Sequence, residues 1–344
     1  MFAGEGRVRV DDVPEPRLLE DDDVIVRVTR TAVCGSDLHL LHGKTPGGRV
    51  GGIIGHEFTG IVEEAGTAVT SVSPGQRVLG SFLIACGFCH QCRKGRYNYC
   101  TSRRALGLGE LTGDLDGAQA ELVRVPGANL NVRSLDGSPL TDEQAVFGGD
   151  ILATAFYAAN MLEVQGGELV AVVGAGPVGL LCAAACRARG ARVLVLDTDG
   201  ARVEFARTHL GMDAEDVSST APYVFVADRT GGDMADIAID AVGVVPAFKG
   251  AMRCVKEGGR VGIVGVYGPE RYDLPMGMVW VRGLDLRFAG MANVQGHWDE
   301  ALDAVAGGDV DPTALISHTL PLDEAERGYE LFESREAMKV VLVP

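Results

Sequence analysis

No run of eighteen apolar residues occurs anywhere in the 344-residue chain, so no helix is expected to span a bilayer. The first residues carry Gly4, Glu5, Gly6 and Arg7 in place of a basic start followed by an apolar core, so no secretory signal is expected. Positive charge is short: 31 Lys and Arg stand against 47 Asp and Glu, for a net charge of −16. An acidic surface repels phosphate backbones, which argues against nucleic acid as a partner. The acids are spread along the chain, and the densest run, Glu20 to Asp23, reads as a solvated turn before a strand. Internal repeats and low-complexity tracts are missing too, which excludes a solenoid. A reducing cytoplasm is the expected compartment, and it keeps thiols available for metal.

What is present suits an α/β protein with many tight turns: 47% of residues are hydrophobic and 47 are Gly. The length allows two domains, each with its own core. Up to about residue 150 the pattern is short strands and glycine turns. Val24 to Thr29, Ile61 to Glu64, Arg77 to Leu79 and Glu121 to Val125 read as strands. The texture then changes. Thr141 starts a helix, with Gln144 three residues on, and an apolar helix follows over Ile151 to Leu162. Leu169 to Val173, Arg192 to Leu196, Asp236 to Asp240 and Arg260 to Val264 read as strands; Pro177 to Arg189 and Asp199 to Leu210 read as helices. That alternation predicts a parallel, doubly wound sheet. Beyond about residue 290 come a helix, a break at Pro312, another helix and the strand Met338 to Val343, a tail expected to return to the first domain.

Four of the eight cysteines lie together. Cys86, Cys89, Cys92 and Cys100 read C-x2-C-x2-C-x7-C, a spacing that lets four thiolates turn toward one ion and close a tetrahedral shell around Zn²⁺. A closed shell leaves no position for a substrate, so the site is structural. Two disulfides are the alternative, and the missing secretory features weigh against them. Cys182, Cys186 and Cys254 fall in apolar helical contexts and read as small buried hydrophobes.

Gly174-Ala175-Gly176-Pro177-Val178-Gly179 fits G-x-G-x-x-G between a buried strand and a helix. The first Gly permits the turn, the second lets backbone approach a pyrophosphate, and the third lets helix and strand pack closely; the helix N-terminus offers its free N–H groups to the anion. Asp197 follows at the end of the next strand, where a carboxylate accepts from ribose hydroxyls and repels a 2′-phosphate. NAD is favoured over NADP.

A second metal site is expected earlier. Cys34-Gly35-Ser36-Asp37-Leu38-His39 sits beyond a strand end, and Gly55-His56-Glu57 follows in a Gly-rich loop. Three protein ligands with one open position make a catalytic zinc, and Asp150, at the seam between the domains, is the third candidate beside Cys34 and His56.

With these motifs in place, the chain resembles a zinc-dependent member of the medium-chain dehydrogenase/reductase superfamily, of the alcohol dehydrogenase type. The stretches Gly148 to Thr154 and Asp116 to Glu121 look most like the formaldehyde-dehydrogenase-like branch. The resemblance implies a GroES-like β-rich catalytic domain over residues 1–150, with the structural zinc lobe at about 82–104. A Rossmann NAD-binding domain over 151–290 and a return to the catalytic domain over 291–344 complete it. It implies two zinc ions per chain and reversible hydride transfer between an alcohol and NAD, with the alcohol oxygen on the catalytic zinc. Cys34, His56 and Asp150 would hold that zinc. Glu57 would stand behind the ligands or swing in during water exchange, and Ser36 and His39 would relay the proton. Arg202 would lie near the adenosine ribose, Val242 and Gly265 would join Gly174, Gly176, Pro177, Val178, Gly179 and Asp197 in holding NAD, and Phe82 would line the substrate pocket. A homo-oligomer is implied, with a small alcohol or carbonyl compound as substrate, and no membrane partner. The loops at residues 42–48 and 102–113 would shape the pocket. The rivals are a zinc-free quinone or carbonyl reductase on the same fold, separable by metal analysis, and a non-catalytic NAD and zinc binder, which would have no use for the Ser36–His39 proton path.

Overall fold

The computed structural model describes residues 1–4, 6–44, 47–268 and 271–344. Thr45 and Pro46, in one of the expected pocket loops, lie outside the described residues. The chain forms two compact units, residues 1–153 with 293–344, and residues 154–292.

The first unit is built on an antiparallel sheet. Phe2–Gly4 pairs with Arg7–Val8 as a small separate ribbon. Strand β1 (Val24–Ala32) is rich in β-branched residues and buried except at Arg27, Thr29 and Arg30. It runs into a short helix, α1 (Gly35–Leu41). Strands β2 (Glu57–Ala65), β3 (Arg77–Gly80), β4 (Leu122–Val125) and β5 (Val132–Ser134) follow. Val24, Val26, Val28, Phe58, Val62, Val78, Val123 and Val125 interleave from these strands into one core.

The second unit is a doubly wound parallel sheet. Helix α2 (Ile151–Met161) leads to β6 (Leu169–Val173), all of whose five residues are buried, as a strand covered on both faces must be. Then come α3 (Pro177–Ala188), β7 (Arg192–Asp197), α4 (Gly200–Thr208), β8 (Asp213–Asp216), α5 (Pro222–Thr230) and β9 (Ala235–Asp240). The unit ends with α6 (Val245–Cys254), β10 (Val255–Ile263), α7 (Met276–Val281) and β11 (Asp285–Phe288). The strand order is β8-β7-β6-β9-β10-β11, every pair parallel. The order reverses between β6 and β9, and in sheets of this kind the ligand crevice lies at that reversal, outside the carboxyl ends of the strands.

The tail returns to the first unit through α8 (Trp298–Ala306), β12 (Ile316–Pro321), α9 (Ala325–Glu333) and β13 (Lys339–Val343). β13 pairs antiparallel with β1 and parallel with β12, which completes a sheet ordered β12-β13-β1-β2-β3-β5 with β4 on the side of β1. The fold is the GroES-like unit plus Rossmann unit read from the sequence. Cys182, Cys186 and Cys254 are buried, and all eight cysteines are free. No helix among the described residues is long and apolar enough to cross a membrane.

Candidate active site

Three turns of the first unit bring one set of donor atoms together. Beyond β1 the chain turns at Cys34 into α1, and Asp37 reaches back to accept the Cys34 N–H at 3.0 Å, which fixes the turn. His56 stands at the start of β2, and Glu57 is its first residue. Asp150 follows the turn Val146–Gly149, just ahead of α2. Ligand atoms of Cys34, His56, Glu57 and Asp150 lie within 4.8 Å of one another, and all four residues are buried.

The distances match a tetrahedral ion. Donors at Zn–S and Zn–N/O bond lengths stand about 3.3–3.8 Å apart around one centre. Cys34 Sγ lies 3.4 Å and His56 Nε2 lies 3.2 Å from Asp150 Oδ2. His56 Nδ1 stands 3.1 Å from Asp37 Oδ1, so Nε2 is the nitrogen left for a metal, with its ring oriented by a carboxylate behind it. Ser36 Oγ lies 3.2 Å from Cys34 Sγ and 3.1 Å from His56 Nε2. Phe82 packs edge-on to the His56 ring at 5.9 Å. His39 is half-buried in the last turn of α1, three residues from Ser36 and so on the same face.

Glu57 belongs to a different pair. Both of its oxygens lie 2.7 Å from Lys339 Nζ, and the two side chains are 0% and 1% exposed. Lys339 also stands over the Phe147 ring at 5.8 Å, a cation–π contact.

The charges of the cluster call for a cation. Burial, with Asp150 and Glu57 close by, pushes the Cys34 thiol up to about 11. Burial likewise raises the Glu57 carboxyl to about 7, against the pull of Lys339. Asp150 resists burial through His56 and stays below the usual carboxylate range. A divalent ion among these groups reverses the penalty on the thiolate.

The four-cysteine lobe shows the same spacing. Cys89 Sγ and Cys86 Sγ lie 3.5 and 3.9 Å from Cys92 Sγ, and the Cys86 N–H donates to Cys100 Sγ at 3.3 Å. Backbone N–H groups of Cys92 and Thr101 bring the Cys89 thiol down to about 5, while burial and its cysteine neighbours push Cys92 up to about 12. Four thiolates cannot all ionise here without a cation. The lobe is tied down by buried amides. Asn131 accepts the Ala85 N–H at 3.0 Å, Gln295 donates to the Leu83 carbonyl at 2.5 Å and to Asn131 Oδ1 at 2.9 Å, and Asn293 accepts the Tyr97 N–H at 3.1 Å.

In the second unit, Gly174 turns the chain out of β6 with φ +110°, and Gly179 packs so closely that a Cβ on it would stand 1.9 Å from the Gly174 carbonyl. Pro177 opens α3, with Val178 beside it. Asp197 accepts the Ala175 N–H at 2.5 Å and the Asp199 N–H at 2.9 Å, which places its carboxylate against the glycine turn. Arg202 Nη1 lies 3.6 Å from where a Gly176 Cβ would be. Val242 and Gly265 follow β9 and β10, on the other side of the crevice.

Residues 20–133 match the alcohol dehydrogenase GroES-like domain family, and residues 177–307 match the zinc-binding dehydrogenase family. A zinc-type alcohol dehydrogenase-like protein of Bacillus subtilis is 35% identical over 377 residues, spanning 100% of this chain and 99% of its own. This chain belongs to the zinc-type alcohol dehydrogenases. Among solved structures, an alcohol dehydrogenase from Thermus sp. ATN1 is 41% identical with a TM-score of 0.94, over 99% of this chain and 98% of that one. A zinc-binding dehydrogenase from Sinorhizobium meliloti, solved with NADP, is 30% identical with a TM-score of 0.87, over 100% and 98%.

The dehydrogenase is thus an oxidoreductase acting on CH–OH groups, with zinc and a nicotinamide coenzyme as the family's cofactors. Sequence reasoning about this alcohol dehydrogenase left out Asp37, Lys339 and the Asn131–Gln295 pair. Asp37 had a signal, one turn from Cys34 and directly after the small residues Gly35 and Ser36. Lys339 had none, since a Lys opening a β-branched strand reads as a solvated end.

Proposed function

We propose that this chain oxidises an alcohol to a carbonyl compound, reversibly, with Cys34, His56 and Asp150 as ligands of a catalytic zinc and NAD as hydride acceptor. The observation that carries it is that Asp150 stands 3.4 Å from the Cys34 sulfur and 3.2 Å from the His56 nitrogen, with all three ligand atoms within 4.8 Å of one another, which suits one tetrahedral ion. When bound, the zinc polarises the substrate oxygen and the nicotinamide takes the hydride. Ser36, beside the ligands, takes the hydroxyl proton, and His39, one turn on, passes it toward solvent; burial, with Lys44 and His42 nearby, holds that ring below the usual histidine range, which keeps it neutral to receive a proton and quick to release it. Asp37 holds the His56 ring. Glu57, bound to Lys339, stays off the metal in the resting enzyme. Phe82, packed on His56, borders the substrate. The Cys86, Cys89, Cys92 and Cys100 lobe holds the second, structural zinc.

Gly174, Gly176, Pro177, Val178 and Gly179 hold the pyrophosphate. Val242 and Gly265 border the nicotinamide end. Asp197 favours NAD, because a 2′-phosphate would meet its carboxylate, and Arg202 lies over the turn as a partner for coenzyme oxygens. The formaldehyde-dehydrogenase-like branch rests on Gly148 to Thr154 and Asp116 to Glu121 alone. Eight free cysteines fit a reducing cytoplasm.

A homo-oligomer is part of the proposal. β11 is the last strand of its sheet, and Phe288 on it and Met276, Trp280 and Val281 on the preceding helix α7 are exposed, Trp280 by 81%. An open strand edge beside an apolar face suits a second copy across a two-fold axis.

Metal analysis and an NADH-absorbance panel of alcohols test the reading. Two zinc ions per chain and turnover of at least one primary, secondary or polyhydric alcohol are expected. Asp150→Ala should lose one zinc and all turnover while NADH still binds. An Asp150→Ala protein that keeps both metals and its activity would refute the ligand assignment.

A further inference from the structure

The loops that leave the carboxyl ends of β9 and β10 are joined by a pair of side chains that the hydride chemistry does not use. β9 ends on Asp240, which is fully buried. A buried carboxylate must be partnered, and every acceptor atom of Asp240 is spent on these loops. Oδ1 accepts the N–H groups of Val242 at 2.9 Å and Gly243 at 3.2 Å. Oδ2 accepts the Tyr267 hydroxyl at 2.7 Å, and that hydroxyl also lies 3.0 Å from the Val244 carbonyl. The main-chain carbonyl of Asp240 accepts from Val264 and Gly265, both at 2.9 Å. Asp240 thus grips its own loop by its side chain and the start of the neighbouring loop by its main chain. Tyr267 brings the far end of that second loop back to the same carboxylate.

The two loops are packed backbone to backbone: a Cβ on Gly265 would stand 2.1 Å from the Gly243 nitrogen. Tyr267 is braced in turn by Phe248 and Tyr272, edge-on at 6.5 and 5.0 Å. Yet Val242, Val244 and Val266, carried by these fixed backbones, are 43%, 46% and 47% exposed. Single exposed valines are ordinary. Three on two clamped loops, at the strand ends beside the crevice, form an apolar wall. Val242 borders the phosphate turn, with Cγ2 2.7 Å from where a Gly174 Cβ would be. Asp197 sits across the crevice on β7 and reads the adenosine ribose, so a coenzyme laid across the crevice carries its nicotinamide end over the β9 and β10 loops.

We propose that Tyr267 and Asp240 are positioning residues for the coenzyme: their hydroxyl–carboxylate clamp sets the two valine-bearing loops at the separation that receives the nicotinamide end. The inference rests on the coenzyme reading given above. A wall fixed before binding costs the complex less ordering than one that must be assembled around the ligand. The clamp therefore acts on affinity for the nicotinamide half and leaves the adenosine half alone.

The test is Tyr267→Phe in the zinc-loaded enzyme, with dissociation constants for NADH and for ADP-ribose, which lacks the nicotinamide, measured by calorimetry. NADH should bind about tenfold more weakly, the worth of one hydrogen bond to a charged acceptor, and ADP-ribose should bind as it does to the parent. In steady state the KM for NAD should rise while the KM for the alcohol holds. Asp240→Asn, which keeps an oxygen for the two N–H groups, should lose less NADH affinity than Asp240→Ala. Equal weakening of NADH and ADP-ribose, or unchanged NADH binding in both Tyr267→Phe and Asp240→Ala, would overturn the proposal. A parent enzyme that binds neither ligand would instead refute the coenzyme reading, and the clamp with it.

Discussion

Lys339 is a side chain whose removal this structure makes costly. A Lys only 1% exposed is tolerable because Glu57 neutralises it and Phe147 lies beneath it. Lys339→Met leaves the Glu57 charge in the interior and should cost roughly 3–5 kcal/mol, the usual loss when one member of a buried pair is removed. It would be read as a lower unfolding midpoint in denaturant. Adding Glu57→Gln should recover part of the loss, and a double mutant no more stable than Lys339→Met would show that the pair does not carry the effect. The cysteine cluster could be read in the sequence because its ligands are near neighbours whose spacing alone states the chemistry. The Cys34, His56 and Asp150 assembly was legible only as a suspicion drawn from loop composition and resemblance, because those residues meet through the fold. Asp37 left only its nearness to Cys34 as a trace, and Lys339 and Tyr267 were not legible at all. Their residue types are common and their partners lie in other strands, so only packing reveals them.

The segments that were easiest to read are the ones that bury both faces. β6, with five consecutive buried apolar residues, could be placed to within a residue, and so could the helix that Pro177 opens. β8, β11 and β12 were passed over. Asp213–Asp216 is three acids and one alanine, a strand only because β7 supplies a pairing edge, and Ile316–Pro321 alternates half-buried and exposed positions at the edge of its sheet. Tertiary pairing overrode local propensity in both. The zinc lobe is the opposite case, two short 3₁₀ turns and loops with almost no core of their own. Its order depends on metal and on the Asn131, Gln295 and Asn293 tethers. Cys89→Ser should therefore lose one zinc and lower the melting temperature well before turnover at 25 °C is affected. Normal thermal stability with collapsed turnover would contradict a structural lobe.

The proposed assembly can be tested at the open edge of the Rossmann sheet. Trp280→Glu places a charge in the exposed apolar strip and should shift the protein toward monomer in light scattering, with little change in the melting of isolated chains. An unchanged mass would show that this edge carries no interface. The order of the two units along the chain carries a further consequence. Residues 154–292 are continuous, whereas the unit with the metal ligands is split, and β13 enters its sheet beside β1 only with residues 339–343. On the ribosome the nucleotide-binding half can close while the metal-binding half still waits for its last strand. Glu57 meets its lysine only once residue 339 has been made, well after residues 154–292. A nascent chain halted after α9 would therefore be expected to retain on a nucleotide-affinity resin and yet give up zinc readily to a chelator.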